Sequence, residues 1–545
     1  MQLPRSPAAL AAVAALALPF AACDVPARSD SWHPKADPEP APRGEGRVAE
    51  VIAAETQQLR ELERRADTLS IHLDREVAHL SPMAGPSVWT LRIVEGTIFE
   101  PLWRRGAEAG GYEPALARSI EVSDDGRAIT VELREGVSFH DGRPLTAADV
   151  VFSLDTARLR AAHLRRHLSA VTAVERAGRG RVVLRLRRPS AYPLRALAEV
   201  PIVPRHIFEG GLRPAAKDVI GTGPYRLDEW DEEGVRLSRF PGYWGDGPSV
   251  RSVAFRHVPD AAEALTLARR GLLDIVPELG AVHAREQLEA PGFSADFDEL
   301  SLAPPVLELL AVNGHRGALA DPRVRRALAL AIDREALAAE AREGLWRPAS
   351  GPVWPGGPVD GPAAPPIAHD PDKAAALLEE AGWSTGDGGI RENGGRRLRL
   401  SLLATEDVDP LRERVIEDLR AVGALVTTRV GTPAVLRLRL RDGDFDLALL
   451  AWRGAADRDP RPVLAAPWAA DDEAMSRALA ALSRAFSPAE RSAAAEALAS
   501  AFSESMPVIP LVASAPRGLV SSRLRGVEIV GGWLDLPSLH LADHR

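Results

Sequence analysis

Short segments with alternating apolar and polar residues are interleaved with amphipathic helical patterns, and this interleaving constrains the fold more than any other feature. Two segments, 69–73 and 129–133, show the two-residue period of strands, and 182–186 is a further predicted strand. Helices are predicted to begin after Thr146, after Asp321 and after Asp370, because each is a good N-cap residue. We therefore predict an α/β fold with mixed sheets. The 545 residues exceed what one core organises, so two or three packed lobes are expected.

Charge and cysteine content exclude several classes of protein. The chain has 67 Lys and Arg against 76 Asp and Glu, a net charge of −9, which argues against a nucleic-acid-binding protein. Its single cysteine, Cys23, precludes disulfides, cysteine-rich zinc sites and a cysteine nucleophile in the body of the protein. The sequence contains no phosphate-binding loop, no dinucleotide-binding glycine pattern and no metalloprotease or serine-hydrolase motif. We expect no enzymatic activity and no cofactor.

A metal site is not expected either. His163 and His167 lie four residues apart and would share one face of a helix, as metal ligands can. Arginines crowd this segment, however, and would repel a cation. The same basic run could lie on anionic lipid, but a solvated surface is the more ordinary interpretation.

The first residues have the features of a secretory signal. Arg5 supplies a positive charge, and residues 8–18 form an apolar stretch too short to span a bilayer as a helix. The stretch ends in Phe-Ala-Ala before Cys23, which resembles the lipobox of bacterial lipoproteins, where the cysteine is lipidated. Asp24 after that cysteine resembles a signal for retention at the inner membrane. No later stretch is long and apolar enough to span a membrane, so we expect the mature protein to be anchored to the periplasmic face of the envelope by lipid only.

Ten collinear segments resemble the signature of family 5 extracellular solute-binding proteins. These proteins are the dipeptide-, oligopeptide- and nickel-binding components of bacterial ABC importers. The most extensive match, Leu133–Val150, includes Phe139-His140-Asp141-Gly142, in which we interpret His140 as a hydrogen-bonded structural residue. The matching segments are 112–117, 122–126, 133–150, 202–207, 221–225, 243–245, 321–328, 331–334, 380–383 and 507–511.

The resemblance implies a two-lobed fold of the type II periplasmic-binding-protein kind, with a hinge that closes on the ligand. The expected divisions are a signal peptide at 1–22, a lipidated cysteine and disordered tether at 23–47, an amphipathic helix at 48–67, lobe I at 68–305 plus 508–545, and lobe II at 306–507. Crossovers between the lobes are expected near 309–313 and 507–511.

The resemblance also places ligand-binding residues. In peptide-binding relatives, a Trp followed by an acidic run ending in Asp-Pro lines the cleft, and one Asp pairs with the peptide ammonium. Here Trp452 begins that stretch, but the expected Asp falls on Ala455 or Ala456. The ligand-binding residues that we predict are Trp452, Arg453, Asp457, Asp459 and Asn313. Trp89 and Trp103 could also stack on a ligand, although each is more typical of a core residue.

The predicted function is that of a lipid-anchored, monomeric substrate-binding protein that delivers a peptide or peptide-like solute to ABC permease subunits. The missing Asp weakens the assignment of a peptide. A metal chelate or an oligosaccharide is the alternative ligand, and a degenerate envelope sensor or interaction protein is the alternative class.

Overall fold

The computed structural model describes most of the chain after the predicted N-terminal segments. The described residues are 67–105, 112–279, 293–302, 306–341, 346–349, 351, 367–405, 409–453, 460–514, 517–530 and 533–542. The predicted signal peptide (1–22), the tether with Cys23 (23–47) and residues 48–66 of the predicted helix lie outside these ranges.

The strands of the first part of the chain precede residue 302. They are β1 Thr68–Leu73, β2 Trp103–Arg105, β3 Tyr112–Pro114, β4 Ala117–Val122, β5 Ala128–Leu133, β6 Val171–Arg176, β7 Arg181–Leu186, β8 Tyr225–Asp231, β9 Gly234–Arg239, β10 Ser252–His257, β11 Ile275–Val276 and β12 Phe297–Ser301. The later strands are β13 Val306–Val312, β14 Arg347–Pro348, β15 Ser384–Thr385, β16 Arg391–Asn393, β17 Arg396–Arg397, β18 Arg399–Ala404, β19 Leu425–Val430, β20 Leu447–Arg453, β21 Val508–Ser514, β22 Arg517–Ser521, β23 Leu524–Arg525, β24 Ile529–Val530, β25 Trp533–Leu534 and β26 His540–Leu541.

Helices alternate with these strands, as the sequence predicts. They are α1 Val88–Val94, α2 Ala147–Leu159, α3 Tyr192–Glu199, α4 Arg205–Phe208, α5 Ala261–Arg269, α6 Phe293–Asp296, α7 Pro322–Ala331, α8 Arg334–Ala336, α9 Pro371–Glu380, α10 Asp409–Ala421, α11 Pro433–Asp442, α12 Arg461–Leu464, α13 Glu473–Arg484 and α14 Pro488–Ser505.

Among the described residues the strands form three sheets of four or more strands. The first sheet has the order β12-β22-β11-β1-β10-β9-β8, the second β14-β21-β13-β20-β18-β19, and the four-stranded sheet β4-β5-β7-β6. In the first sheet β1 is parallel to β10, whereas β10 is antiparallel to β9. In the second sheet β18 is parallel to β20, whereas β13 is antiparallel to β20. The prediction of an α/β fold with mixed sheets is therefore confirmed.

The predicted helix starts follow from local capping. The side chain of Asp321 accepts a hydrogen bond from the Arg323 amide at 2.8 Å, and that of Asp370 accepts one from Lys373 at 2.9 Å. A proline occupies the first turn of each of these two helices, α7 and α9. Before α2, the amide of Thr146 donates to the Asp149 carboxylate at 3.0 Å, as in a capping box.

Apolar side chains are gathered into two main cores. The first core packs residues of the first and four-stranded sheets with α1, α2 and α3, and the second packs the second sheet with helices such as α7, α10, α13 and α14. The central strand β13 is buried at every position, as expected of a strand covered on both faces. The first sheet and the four-stranded sheet thus share one apolar interior, and the second sheet has its own.

The described chain passes between the first and the second sheet at two neighbouring places. The chain leaves the first sheet after Ser301 and enters the second at Val306, and it returns between Ser514 and Arg517. Val306 lies opposite Ser514 in the register of β13 and β21, so the two crossings are adjacent. Residues 508–514 pair within the second sheet, which places the return later than the expected 507–511. The lobe boundaries themselves stay a prediction.

The glycines of the segment 221–225 are explained by close backbone packing. A Cβ atom at Gly221 would lie 1.8 Å from the carbonyl oxygen of Ile98, and one at Gly223 would lie 2.2 Å from that of Thr97. The approach is held by a hydrogen bond from the Gly223 amide to the Ile98 oxygen at 3.0 Å. A side chain at either position would therefore push two segments of the first core apart.

His140 has the structural role predicted from the sequence. Its Nε2 lies 2.9 Å from the Gly223 carbonyl oxygen, and its Nδ1 accepts a hydrogen bond from the Gly221 amide at 3.3 Å. Since Nδ1 accepts, this network assigns the proton to Nε2 in the neutral ring. Burial lowers the pKa of His140 to about 4, because a charged imidazolium would lose its hydration.

A buried ion pair ties the first strand to the end of the chain. Asp274, only 1% exposed, accepts hydrogen bonds from the Ser70 amide at 2.8 Å and from Arg523 Nε and Nη2 at 2.5 and 2.7 Å. Arg523 also donates to the Thr68 carbonyl oxygen at 3.1 Å. Segments 455 residues apart are therefore joined at one carboxylate.

We expect Asp274→Asn to lower the free energy of unfolding by about 3–5 kcal/mol, because it leaves the Arg523 guanidinium buried without its anion. Urea denaturation of the two proteins measures this difference. The control is Glu473→Gln, which breaks an exposed pair with Arg477 at 3.1 Å and should change stability by no more than about 0.5 kcal/mol. Equal effects of the two substitutions would contradict the importance of the buried pair.

His140 is expected to make the fold sensitive to acid. Because the folded pKa of about 4 lies below the ordinary 6.5, the unfolded chain binds a proton first, and stability present above pH 6.5 is lost as the pH falls toward 4. This difference corresponds to about 3 kcal/mol. In urea denaturation at pH 7 and pH 4.5, His140→Gln should lose less stability than wild type on acidification. His315→Gln, which changes an exposed side chain, should behave as wild type does.

Candidate functional site

Strand β20 carries the predicted ligand-binding tryptophan to the place where the chain changes sheet. In the register of the second sheet, Arg453 lies opposite Val306 and Trp452 lies opposite Leu307. Val306 also lies opposite Ser514 on its other side, so the end of β20 adjoins the first crossing and is one strand away from the second. This end of β20 is our candidate functional site on the side of the second sheet.

Of the predicted ligand-binding residues from Trp452 to Asp459, the structure describes the side chain of Trp452 only. Trp452 is 7% exposed and belongs to the second core, so most of its ring is packed inside the protein. The backbone of Arg453 is the last described part of β20. Its side chain, and the whole of Asp457 and Asp459, lie outside the described residues. A role of these four residues in ligand binding stays a prediction.

Asn313 has internal partners that assign it a structural role. Its side-chain nitrogen donates to the carbonyl oxygens of Gly443 at 3.0 Å and Phe445 at 3.1 Å, and its side-chain oxygen accepts from the His315 amide at 3.3 Å. Asn313 also follows the opposite end of β13, about 20 Å from Trp452 at the rise of a strand. We therefore do not retain Asn313 in the proposed ligand site. The sequence placed it near a crossover, whereas β13 runs away from the crossing.

The first sheet contributes a carboxylate near the crossing that the sequence analysis did not single out. Asp74 follows β1, and its side chain is 41% exposed. Burial alone would raise the pKa of the Asp74 carboxyl, but hydrogen bonds from Arg75 and from the Trp89 indole hold that pKa below its ordinary value. Asp74 is therefore ionised at neutral pH, and Arg75 Nε and Nη2 donate to its two oxygens at 3.2 and 2.9 Å.

A stack of aromatic and cationic side chains connects Asp74 with the first crossing. The Arg92 guanidinium lies 4.8 Å from the Trp89 ring and 4.5 Å from the Trp533 ring, and Arg92 Nη2 donates to the Leu302 carbonyl oxygen at 3.2 Å. The two tryptophan rings meet edge to face at 6.3 Å. Trp89 is thus held in a packed stack, and no sequence pattern could have paired it with Trp533.

A second contact joins the two cores away from the crossings. The Ala191 amide, just before α3, donates to the carbonyl oxygen of Ser483 in α13 at 2.7 Å. The guanidinium carbon of Arg461, the first residue of α12, lies 3.2 Å from the centroid of the Tyr192 ring. Helix α3 belongs to the first core, and α12 and α13 belong to the second. The two cores are therefore connected at the two crossings and, separately, at this contact between helices.

The described residues offer no obvious place for a resident metal ion. Among them, no group of three or more His, Cys, Asp or Glu side chains could hold one. His163 Nε2 lies 3.2 Å from the Pro82 carbonyl oxygen, and His167 Nε2 lies 3.3 Å from the Glu199 carboxylate. The two histidines therefore have separate partners. None of the described helices is long and apolar enough to cross a membrane.

Comparison with curated proteins finds relatives that match part of the chain. It is 36% identical to Protein XP55 of Streptomyces lividans over 352 residues, which cover 62% of this chain and 61% of that protein. It is 32% identical to the glutathione-binding protein GsiB of Escherichia coli O1:K1 over 283 residues, which cover 50% of this chain and 53% of GsiB. The chain thus matches between half and two thirds of the length of these two relatives.

Solved structures confirm the architecture. The structure of HbpA2 from Haemophilus parasuis superposes with a TM-score of 0.75 at 21% identity, covering 87% of this chain and 99% of HbpA2. The two-lobed, type II periplasmic-binding-protein fold predicted from the sequence is therefore confirmed. The model of the family described as bacterial extracellular solute-binding proteins, family 5, middle, matches residues 111–473. The chain belongs to the family 5 bacterial extracellular solute-binding proteins.

Proposed function

We propose that this protein is the substrate-binding lipoprotein of an ABC importer, which captures a peptide or peptide-like solute between its lobes and delivers it to the permease. The observation that carries this proposal is that the end of β20 adjoins the first crossing and is one strand away from the second. A solute bound there would touch both lobes, so its contacts would change as the lobes rotate. Ligand binding then shifts the population toward the conformation with more contacts.

A peptide-like solute needs a carboxylate in place of the missing Asp, and Asp74, which is now paired with Arg75, would have to exchange that partner for the solute. The sequence has Ala455 and Ala456 where peptide-binding relatives place the carboxylate for the peptide ammonium. Asp74 is ionised, partly exposed and close to the first crossing. We assign to Asp74, with Asp457 as the alternative, the role of attracting an ammonium group. The similarity to a glutathione-binding protein supports the same class of solute.

The remaining parts of the proposal concern how the protein is held in the envelope. Cys23 would carry the lipid, and the 44 residues between it and β1 would form the tether and the amphipathic helix. The protein would act as a monomer, with lobe I formed by 68–305 and 508–545 and lobe II by 306–507. It would have no catalytic activity. A chelate or oligosaccharide binder, or an envelope sensor, is the alternative.

Solute capture is tested with the Cys23→Ser protein by native mass spectrometry and by thermal unfolding with reduced glutathione, tri-alanine, nickel with L-histidine, and maltotriose. We expect glutathione or tri-alanine to raise the Tm by about 5 °C at one hundred times the Kd. Asp74→Asn should reduce this shift, whereas Glu473→Gln, on an exposed helix face, should not. Stabilisation by the nickel complex or by maltotriose alone would contradict the peptide-like solute.

The contact between α3 and α13 predicts a disulfide between engineered cysteines. The Cys23→Ser protein has no other cysteine, so Ala191→Cys with Ser483→Cys gives one possible pair. The 2.7 Å bond between these residues keeps their Cα atoms within about 6.6 Å, inside the range that a disulfide spans. We expect the pair to oxidise and to slow solute release, because the lobes can no longer separate.

The control pair is Ala191→Cys with Ser476→Cys, two helical turns earlier on α13 and about 10 Å away along the axis. It should stay reduced under the same oxidation. If both pairs, or neither, form a disulfide as measured by mass spectrometry, the contact between the two lobes is not the one described.

A further inference from the structure

A buried arginine beside the contact between the lobes has no anionic partner among the described residues. Arg195 in α3 is 6% exposed, and its Nη1 has no hydrogen-bond partner among the described residues. Its guanidinium carbon lies 5.3 Å from the centroid of the Tyr192 ring, a contact that does not neutralise its charge. Buried charges in proteins are otherwise paired, because removing a cation from water costs several kcal/mol.

Arg195 lies on the side of α3 that faces the second lobe. Residues three and four apart share a helix face, so Tyr192, Arg195 and Glu199 lie along one side of α3. Tyr192 on this side contacts Arg461 of α12. Two guanidinium groups therefore flank one tyrosine ring, one from each lobe, which concentrates positive charge at the interface.

The acidic group on the same face is directed elsewhere. Glu199 lies one turn beyond Arg195, and its carboxylate oxygen is 3.3 Å from Nε2 of His167. His167 in turn accepts a hydrogen bond from Arg166 at 2.8 Å. Arg195 and Glu199 do not form an ion pair. The charge of Arg195 thus has no described carboxylate to balance it.

We propose that Arg195 binds an anionic group of the solute, so that the protein selects solutes carrying a carboxylate. Arg461 strengthens this site through the positive charge that it brings from the other lobe. The inference rests on the proposed function and adds a substrate class to it. A carboxylate accepts two parallel hydrogen bonds from a guanidinium, which suits the unpartnered nitrogen of Arg195.

The first test needs no solute. Arg195→Met should leave the Tm of the unliganded protein within about 1 °C of wild type, or raise it, because it removes an uncompensated buried charge. The matched control is Arg391→Met. Arg391 is 5% exposed and donates to the carbonyl oxygens of Val422 and Trp383 at 3.2 and 2.8 Å, so its loss should lower the Tm by several degrees. A fall for Arg195→Met as large as that for Arg391→Met would overturn the proposal, because Arg195 would then have an internal partner.

The second test uses reduced glutathione and its diethyl ester, in which both carboxylates are blocked. We expect the free acid to raise the Tm of wild type more than the ester does, and Arg195→Met to abolish that difference. Arg195→Lys, which keeps the charge, should restore part of it. Equal stabilisation of wild type and Arg195→Met by the free acid would overturn the role of Arg195 while leaving solute binding intact. If glutathione stabilises neither protein, the proposed peptide-like solute is contradicted, whereas an unchanged or raised Tm of unliganded Arg195→Met still supports an unpartnered Arg195.

Discussion

The rest of the structure depends on the buried carboxylate of Asp274, which holds together segments that lie far apart in the sequence. Asp274 accepts hydrogen bonds from the Ser70 amide in β1 and from Arg523 beyond β22, while Arg523 bonds the start of β1. The first sheet can therefore include strands from both ends of the described chain. That arrangement brings the return crossing beside the outward crossing, and two adjacent crossings allow the lobes to rotate about one axis.

The adjacent crossings bring the end of the second sheet close to the first sheet. The end of β20 lies opposite the start of β13, whose other side pairs with the end of β21. Asp74 and the Trp89–Arg92–Trp533 stack approach the same boundary from the first lobe. The contact of Tyr192 with Arg461 closes the arrangement from another direction. Charged and aromatic side chains thus lie together where the lobes can move relative to each other.

Local features were predictable, whereas pairings between distant residues were not. The helix starts at Pro322 and Pro371 follow from the capping Asp residues that precede them, and the strand at 128–133 follows from its alternation. The internal hydrogen bonds of Asn313 could not be predicted either, because its partners Gly443 and Phe445 lie about 130 residues away in the chain. Asp74 was missed because its neighbours in the chain do not reveal its hydrogen bond to the Trp89 indole. The buried state of Arg195 likewise depends on how α3 packs.

The sequence by itself determined the α/β class, the family and the main secondary-structure boundaries, because period, capping and motif order depend on residues close together in the chain. It also excluded disulfides and cysteine-rich zinc sites, because the chain has a single cysteine, and its net charge of −9 argued against nucleic-acid binding. Only the tertiary structure decided which charged groups meet, which remain unpaired and which face the boundary between lobes. Those properties depend on burial and on contacts between segments hundreds of residues apart, and a side chain's charge acts strongly only where the fold has removed the water around it.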